Sequence, residues 1–316
     1  MKGLLKSKPA WTQFLILVCV TLVSFFVLGL VGTLLLSSLS GIGIKEMDDM
    51  SKLDFSQPGT STFIRGMQVV QFISLFLVPA LICGRLFSTN SKQYLGLRRP
   101  SHTAYFLAGI GVMLLAIPLS SLLGELNRNV QFPSGIENWM KESEEEASKI
   151  IKGLLSKNTI QDLVLNVLCI AGLAAVGEEL LFRGMAQRLL IKMFKSAWVG
   201  IVIAAFLFSA MHMQFYGFVP RFVLGILLGA IYWYSGSLWV AILAHFLYDA
   251  VLIVLAYFNP EMLNDDVPIK LSNIAFLAAV SGLLLVLLLV WMKKRSTTTY
   301  NNMYADDAIP VKDDPF

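Results

Sequence analysis

Charged residues are scarce in this chain. They make up 15% of its 316 residues, whereas hydrophobic residues make up 56%, and a soluble domain usually contains about 25% charged residues. Only three cysteines are present, Cys19, Cys83 and Cys169, and their spacing is typical of neither a metal site nor a disulfide framework. Alternating segments of about ten residues, which mark outer-membrane barrels, are absent too. The composition excludes an ordinary soluble domain and indicates lipid as the solvent.

Long apolar runs dominate what is present. About 20 apolar residues are needed to cross a hydrocarbon core of about 30 Å. Eight candidate runs lie at 11–36, 62–84, 103–124, 160–181, 198–213, 219–234, 238–258 and 272–292. The first run is too long for the apolar region of a signal peptide, so we interpret it as a retained helix. The sequence predicts an all-α, polytopic membrane protein with about eight transmembrane helices.

The loops indicate an orientation, because lysine and arginine in short loops mark the cytoplasmic side. Basic groups that this rule places inside are Lys2, Lys6, Lys8, Arg85, Lys92, Arg98, Arg99, Arg188, Lys192, Lys195, Lys293, Lys294 and Arg295. Acidic groups that it places outside are Glu46, Asp48, Asp49, Glu142 to Glu146, Glu261, Asp265 and Asp266. We therefore expect a multi-pass protein with both termini in the cytoplasm. The short tails favour the inner (plasma) membrane of a bacterium.

Four segments follow from these runs. Residues 1–159 contain the N-terminal transmembrane helices and a long outer loop, 160–258 contain the core helices, and 259–295 contain the last transmembrane helix. The polar stretch 296–316 is predicted to be a disordered cytoplasmic tail. Within the outer loop, about 125–159, apolar residues interrupt a charged sequence. This pattern predicts either an amphipathic helix on the membrane surface or a solvated charged hairpin.

Three charges lie close together inside an apolar run. Residues 176–184 read VGEELLFRG, and ionisable side chains within a bilayer are costly enough to be functional candidates. Glu179 and Arg183 are four residues apart, so they can pair on one face of a helix. Glu178 points about 100° away from that face. We expect one glutamate to be neutralised by the arginine and the other to be left free.

Two of the three histidines also fall within apolar segments. His212 follows Phe208 by four residues in FLFSAMH, and His245 precedes Asp249 by four residues in HFLYD. Each buried polar group needs a polar partner, and groups on three separate helices can supply one another. The sequence thus predicts a polar site buried between helices.

Such a set of groups can make a water molecule reactive. Burial disfavours the charged form of a carboxyl group and suits Glu178 to general acid–base work, while one imidazole can polarise water and a second can donate to a developing oxyanion. No GxSxG or HExxH motif is present. Glu178, His212 and His245 would also match a two-histidine, one-carboxylate zinc site. The residues alone leave the cofactor open between none and zinc.

At these residues the chain resembles the CPBP family, which comprises CAAX proteases and bacteriocin-processing or self-immunity proteins and is also called the abortive-infection family. The family motifs EExxxR, FxxxH and HxxxN stand here as EELLFR (178–183), FSAMH (208–212) and, in variant form, HFLYD (245–249). The resemblance covers roughly 160–258. It implies an intramembrane endopeptidase with an all-helical core of eight spans, in a family described both as metal-dependent and as metal-free.

Carried over to this chain, the resemblance implies a role for each residue. Glu178 would be the base with His212 beside it, and His245 would donate to the oxyanion. The supporting residues would be Glu179, Arg183 and Phe208. Asp249 stands where the family often has asparagine, and an ionised carboxylate accepts hydrogen bonds but cannot donate them. We expect Asp249 to accept from His245 and fix its tautomer.

One difficulty concerns depth in the membrane. A helix that ends near residue 181 would place Glu178 at the cytoplasmic end, whereas His212 would lie about 20 Å along the next helix. For the two to meet, the fourth helix must break, re-enter or continue past Arg183, or the fifth must start deeper.

The expected partners are membrane lipid and a membrane-associated peptide or protein substrate, with no nucleic acid. A different class remains open, namely a non-catalytic immunity or partner-binding protein of the same fold. Proton or ion transport is less favoured, because the chain shows no internal repeat.

Overall fold

All regular structure in the described residues is helical. The computed structural model describes residues 2–43, 53–55, 57–156, 159–263 and 271–304. The long helices are α1 (Ala10–Ser40), α2 (Gly59–Phe87), α3 (Ala104–Arg128), α4 (Ser134–Leu155), α5 (Ile160–Phe194), α6 (Ala197–Met211), α7 (Phe218–Ser235), α8 (Leu238–Phe258) and α9 (Ser272–Arg295). Short helices lie at Ser91–Tyr94, Pro260–Leu263 and Tyr300–Met303.

Seven of the helices found in the described ranges, all except α4 and α6, are long and apolar enough to cross a membrane. Helix α6 is apolar but has only 15 residues, which span about 22 Å. It occupies the place of the fifth predicted span. The predicted fold class, an all-α polytopic membrane protein of about eight spans, is confirmed.

Helix α5 is longer than the apolar run that predicted it. It has 35 residues and includes two stretches of π-helix, Val167–Gly172 and Glu179–Gln187. Arg188 and Lys192, which we expected in a cytoplasmic loop, are buried within it. The Arg188 guanidinium donates to the Tyr94 carbonyl oxygen at 2.8 Å and lies over the Tyr94 ring. This arginine therefore contacts other protein groups instead of projecting into a loop.

The connection between α3 and α5, which we expected on the outer side, forms the amphipathic helix α4, so the prediction of a hairpin is wrong. Met140, Leu154 and Leu155 on α4 are buried, whereas charged residues such as Glu142 and Glu145 are exposed. Leu154 belongs to an apolar cluster with Phe63 and Ile64 of α2, and Leu155 to a cluster with Ala250 and Ile253 of α8. The apolar face of α4 therefore packs against α2 and α8.

Glycines allow two pairs of helices to approach closely. A Cβ atom on Gly177 of α5 would lie 2.9 Å from side-chain atoms of Phe72 and Phe76 on α2. A Cβ atom on Gly225 of α7 would lie 3.1 Å from the Cα atom of Ala205 on α6. Small residues spaced four apart are typical of close helix packing in membranes, and Gly229 follows Gly225 at that spacing.

Part of the predicted disordered tail is folded. Ser296 donates to the Tyr234 carbonyl oxygen at 2.8 Å, and Arg98 donates to the Asn302 carbonyl oxygen at 2.9 Å. Tyr300 and Tyr304 are buried. The prediction of disorder is therefore wrong for residues 296–304. Residues 305–316 lie outside the described ranges, as do the predicted outer acidic residues Glu46, Asp48, Asp49, Asp265 and Asp266.

Candidate active site

The continuation of α5 past Arg183 brings Glu178 and His212 to the same depth. Glu178 lies about 27 Å from the start of α5 and about 24 Å from its end at a rise of 1.5 Å per residue. Helix α6 then returns from Ala197, and His212 follows its last residue, about 22 Å from its start. Of the alternatives that the sequence left open, the extended helix is the one observed.

Glu179 and Arg183 form a buried ion pair, as their spacing predicted. The Arg183 Nη1 atom lies 2.8 Å from Glu179 Oε1, and the side chains are 1% and 0% exposed. Arg183 also donates to the Gly225 carbonyl oxygen of α7 at 3.0 Å. Its guanidinium lies over the ring of Phe208, 4.7 Å from the centroid. Phe208 therefore contacts the charged pair that the first motif supplies.

Gln187 repeats this contact one turn further along α5. Its side-chain amide donates to the Gly229 carbonyl oxygen at 3.2 Å. Arg183 and Gln187 thus donate hydrogen bonds to two carbonyl oxygens of α7, both at glycines. The missing side chain leaves these carbonyls accessible. Sequence reasoning missed Gln187, although the matching four-residue spacings of 183/187 and 225/229 were visible.

Glu178 lies between two histidines on other helices. Its Oε1 atom is 3.9 Å from His212 Nε2 and its Oε2 atom is 3.8 Å from His245 Nε2. Both distances exceed a direct hydrogen bond, and a water molecule commonly occupies such a separation. The Glu178 side chain is 12% exposed. The structure therefore brings together the three residues that the motifs singled out, with Glu178 at the centre.

The tautomer of His212 follows from its contact with Phe208. His212 Nδ1 lies 2.9 Å from the Phe208 carbonyl oxygen. Because a carbonyl only accepts, Nδ1 must carry the hydrogen. In the neutral ring, Nε2 then presents its lone pair on the side that faces Glu178. His212 is thus arranged to accept a hydrogen bond from a water molecule beside Glu178.

His245 has a carboxylate near each ring nitrogen. Its Nδ1 atom lies 2.9 Å from Glu179 Oε1, and its Nε2 atom lies 3.3 Å from Asp249 Oδ2. We expected Asp249 to orient this ring, but the shorter contact comes from Glu179, which the sequence linked only to Arg183. Glu179 contacts both Arg183 and His245. A residue of the first motif therefore orients the imidazole ring of the third motif.

The described residues contain no group of three histidine, cysteine, aspartate or glutamate side chains arranged to hold a metal ion. His245 Nδ1 is taken by Glu179, so only its Nε2 atom faces Glu178. The zinc set of Glu178, His212 and His245 therefore remains a prediction, and no chemical step below depends on it.

Three further polar residues near the site were not singled out from the sequence. Gln68 and Gln71 of α2 line a cleft that reaches Glu178. Arg221 of α7 donates to the Gln214 carbonyl and side-chain oxygens, in the loop that follows His212. The sequence could have indicated them in the same way as it indicated the glutamates. All three are polar residues within apolar runs.

Comparison with known proteins supports the motif assignment. Residues 160–251 match the family model of the type II CAAX prenyl endopeptidase Rce1-like proteins. The chain is also similar to the uncharacterized protein YpbD of Bacillus subtilis (strain 168), with 32% identity over 106 residues that cover 32% of this chain and 49% of YpbD. The chain thus spans about half the length of the curated relative that it matches. No solved structure matches the chain. The predicted resemblance is confirmed for the segment that contains all three motifs, since residues 160–251 match the Rce1-like family model.

Proposed function

We propose that this protein is an intramembrane endopeptidase that hydrolyses a peptide bond in a membrane-associated protein or peptide. One observation carries the proposal: the Glu178 carboxylate lies 3.9 Å and 3.8 Å from imidazole nitrogens supplied by two other helices. These are the groups of the three family motifs. The proposed setting is a bacterial inner membrane, where the substrate would be a peptide held in or at the bilayer.

Glu178 and His212 are the proposed pair that activates water. A water molecule between them donates one hydrogen bond to Glu178 and the other to the lone pair of His212 Nε2. As the water oxygen attacks the carbonyl carbon of the substrate, Glu178 takes its proton as a general base. The same carboxyl group then gives this proton to the amide nitrogen, and the carbon–nitrogen bond breaks. No covalent intermediate with the protein is formed.

His245 is the proposed donor to the oxyanion. Glu179 near Nδ1 and Asp249 near Nε2 can each accept a hydrogen bond from the ring. The Nε2 hydrogen, directed toward the Glu178 side, can then be donated to the carbonyl oxygen as negative charge develops on it. Asp249 accepts this hydrogen when no substrate is present. In this scheme Glu179 and Arg183 hold the ring in place.

The cofactor is proposed as none or zinc. Zinc would be held by Glu178, His212 and His245 and would supply Lewis-acid activation of the water. Elemental analysis of the purified protein, with activity before and after chelation and zinc re-addition, decides between the two.

The central test replaces the proposed base. Glu178→Gln should lower kcat by about 10²–10⁴-fold, because the amide cannot accept the proton of water. Folding and membrane insertion should be kept, since Glu178 lies beyond hydrogen-bond distance of both histidines. The measurement is cleavage in proteoliposomes of a substrate identified as the uncut protein that accumulates in membranes of a Glu178→Gln strain.

Glu125→Gln on α3 is a matched control, because Glu125 is exposed and lies outside the site; it should cleave at the wild-type rate. Equal cleavage by wild type and Glu178→Gln would contradict the general-base assignment. A wild-type protein without turnover, whose variant loses a binding partner, would instead support the non-catalytic immunity function.

A further inference from the structure

A small cleft between α2 and α5 ends at Glu178. Its lining consists of Gln68, Gln71, Phe72, Phe76, Leu173, Ala174 and Glu178, and we call it the Gln cleft. The space open to the centres of water molecules is about 30 Å³, and one water molecule needs about 10–15 Å³ on that measure. The cleft therefore has room for about two water molecules next to the proposed base.

The polar groups of the Gln cleft need a polar occupant. Gln68 and Gln71 are three residues apart, so they lie on the same side of α2, within a helix that is otherwise apolar enough to cross a membrane. Gln68 is half-buried and Gln71 is exposed at the helix surface, and neither amide hydrogen-bonds another of the described residues. An amide without a partner is costly in an apolar medium. Water with two to four polar partners is the usual solution at such a site, and Gln68, Gln71 and Glu178 offer that number.

The local backbone contributes to the cleft. Helix α2 changes from α-helix to π-helix after Gln71, over Phe72–Leu77. On α5, the lining residues belong to the α-helical segment Leu173–Glu178, which lies between two π-helical stretches. π-helical turns within longer helices occur frequently at functional sites. The two helices thus depart from regular geometry on either side of the same small space.

The position of the histidines decides between water and a peptide as occupant. His212, His245 and Asp249 do not line the Gln cleft, and Glu178 is the residue that it shares with the histidine cluster. A peptide in the cleft would lie away from both imidazoles. Water in the cleft needs to pass only the Glu178 carboxylate to reach His212.

We propose that the Gln cleft stores the water that Glu178 activates, and that Gln68 and Gln71 are positioning residues that hold it. The use of this water rests on the proposed hydrolytic function, whereas its presence in the cleft does not. The two parts are therefore tested by separate measurements.

The first measurement detects water without relying on catalysis. Gln71→Cys is labelled with a small, charged methanethiosulfonate reagent in proteoliposomes, and Val69→Cys, which is exposed like Gln71 but does not line the cleft, is the matched control. Only the thiolate reacts with the reagent, and a cysteine ionises more readily beside water than beside lipid. A cysteine at position 71 should therefore be labelled roughly tenfold faster than one at position 69. Adding Ala174→Leu, which fills the cleft, should slow the labelling. The unsubstituted protein gives the background of its three native cysteines.

The second measurement uses hydrolysis. The double variant Gln68→Leu/Gln71→Leu should lower kcat roughly tenfold, as expected for lost hydrogen bonds to water, while KM stays within about twofold. Val69→Leu should leave both constants unchanged, and the polar variant Gln71→Glu should restore part of the kcat that Gln71→Leu loses.

The outcomes separate this inference from the proposed function. Equal labelling at positions 69 and 71 would overturn the water cleft whatever the activity. Wild-type hydrolysis together with an unchanged kcat in the double leucine variant would overturn the positioning role and leave the proposed function standing. Fast labelling at position 71 in a protein that hydrolyses nothing would support the water cleft and count against the proposed function.

Discussion

Glu178 and Glu179 are adjacent in the chain but have different surroundings. Glu179 is fully buried and contacts Arg183 and His245 at 2.8 Å and 2.9 Å. Glu178 is partly exposed, and its nearest imidazole nitrogens lie 3.8 Å and 3.9 Å away. The Glu179 carboxylate therefore holds the structure of the site together, and the Glu178 carboxylate remains available for chemistry.

Replacing each glutamate in turn by glutamine should distinguish these roles, because the two variants should differ in unfolding free energy. Glu179→Gln removes the negative partner of a buried arginine and should cost about 3–5 kcal/mol of unfolding free energy. Glu178→Gln should change the unfolding free energy by less than about 1 kcal/mol, since it breaks no direct hydrogen bond. Thermal unfolding of the purified variants in detergent measures both.

A double variant provides the control. Glu179→Gln with Arg183→Met leaves no charge without a partner, so it should be more stable than the sum of the two single variants indicates. Equal melting temperatures for Glu178→Gln and Glu179→Gln would show that the ion pair has no structural role.

At the scale of elements, the contact between α6 and α7 sets the position of two motifs. Gly225 and Gly229 allow α7 to pack directly on α6, which leads to His212, and their carbonyls accept from Arg183 and Gln187 of α5. The spacing of small residues on α7 is typical of close packing but does not indicate the partner, because a helix surface does not specify which neighbour covers it.

A methyl group at this contact should be destabilising. Gly225→Ala places a Cβ atom 3.1 Å from the Ala205 backbone, and such overpacking costs about 1–3 kcal/mol. The displaced helix should also lower cleavage activity, because Arg183 and His212 depend on it. Gly282→Ala on α9 is the matched control: nothing lies within 4 Å of its Cβ, so helix propensity should stabilise the protein by up to about 1 kcal/mol. The same loss in both variants would refute the packing argument.

At the scale of the whole molecule, one end gathers the basic residues. Gly3 donates to the Arg85 carbonyl oxygen, and Arg98 donates to the carbonyl oxygens of Gly236 and Asn302. Four segments therefore meet at this end: the N-terminal segment, the end of α2, the α7–α8 turn and residues 296–304. The exposed acidic face of α4 follows α3 and therefore lies one membrane crossing away. This grouping agrees with the loop rule, and we propose that the basic end faces the cytoplasm.

Reporter fusions test this orientation. Green fluorescent protein at the C-terminus should fluoresce, because both termini are expected in the cytoplasm. Alkaline phosphatase inserted between α8 and α9 should be active, since that connection is expected on the opposite side. An active phosphatase at the C-terminus would reverse the proposed orientation.

Much of the fold was readable from the sequence, because a bilayer imposes local requirements. A crossing helix needs a long apolar run, so composition alone located the spans. The Glu179–Arg183 pair was also local, because four residues make one helical turn. The length of α5 was not readable, since Arg188 and Lys192 resemble the basic end of a helix and are instead buried by contacts with distant residues. Folding of residues 296–304 was missed for the same reason.

The sequence by itself determined that this is a helical membrane protein, and it determined which charged groups are out of place in lipid. Only the tertiary structure decided that Glu178, His212 and His245 meet at one depth, that Glu179 rather than Asp249 makes the shorter contact with His245, and that Gln68 and Gln71 border the same glutamate. The physical reason is that spacing along a helix specifies which side chains share a face, whereas contacts between helices depend on the packing of surfaces that are far apart in the chain.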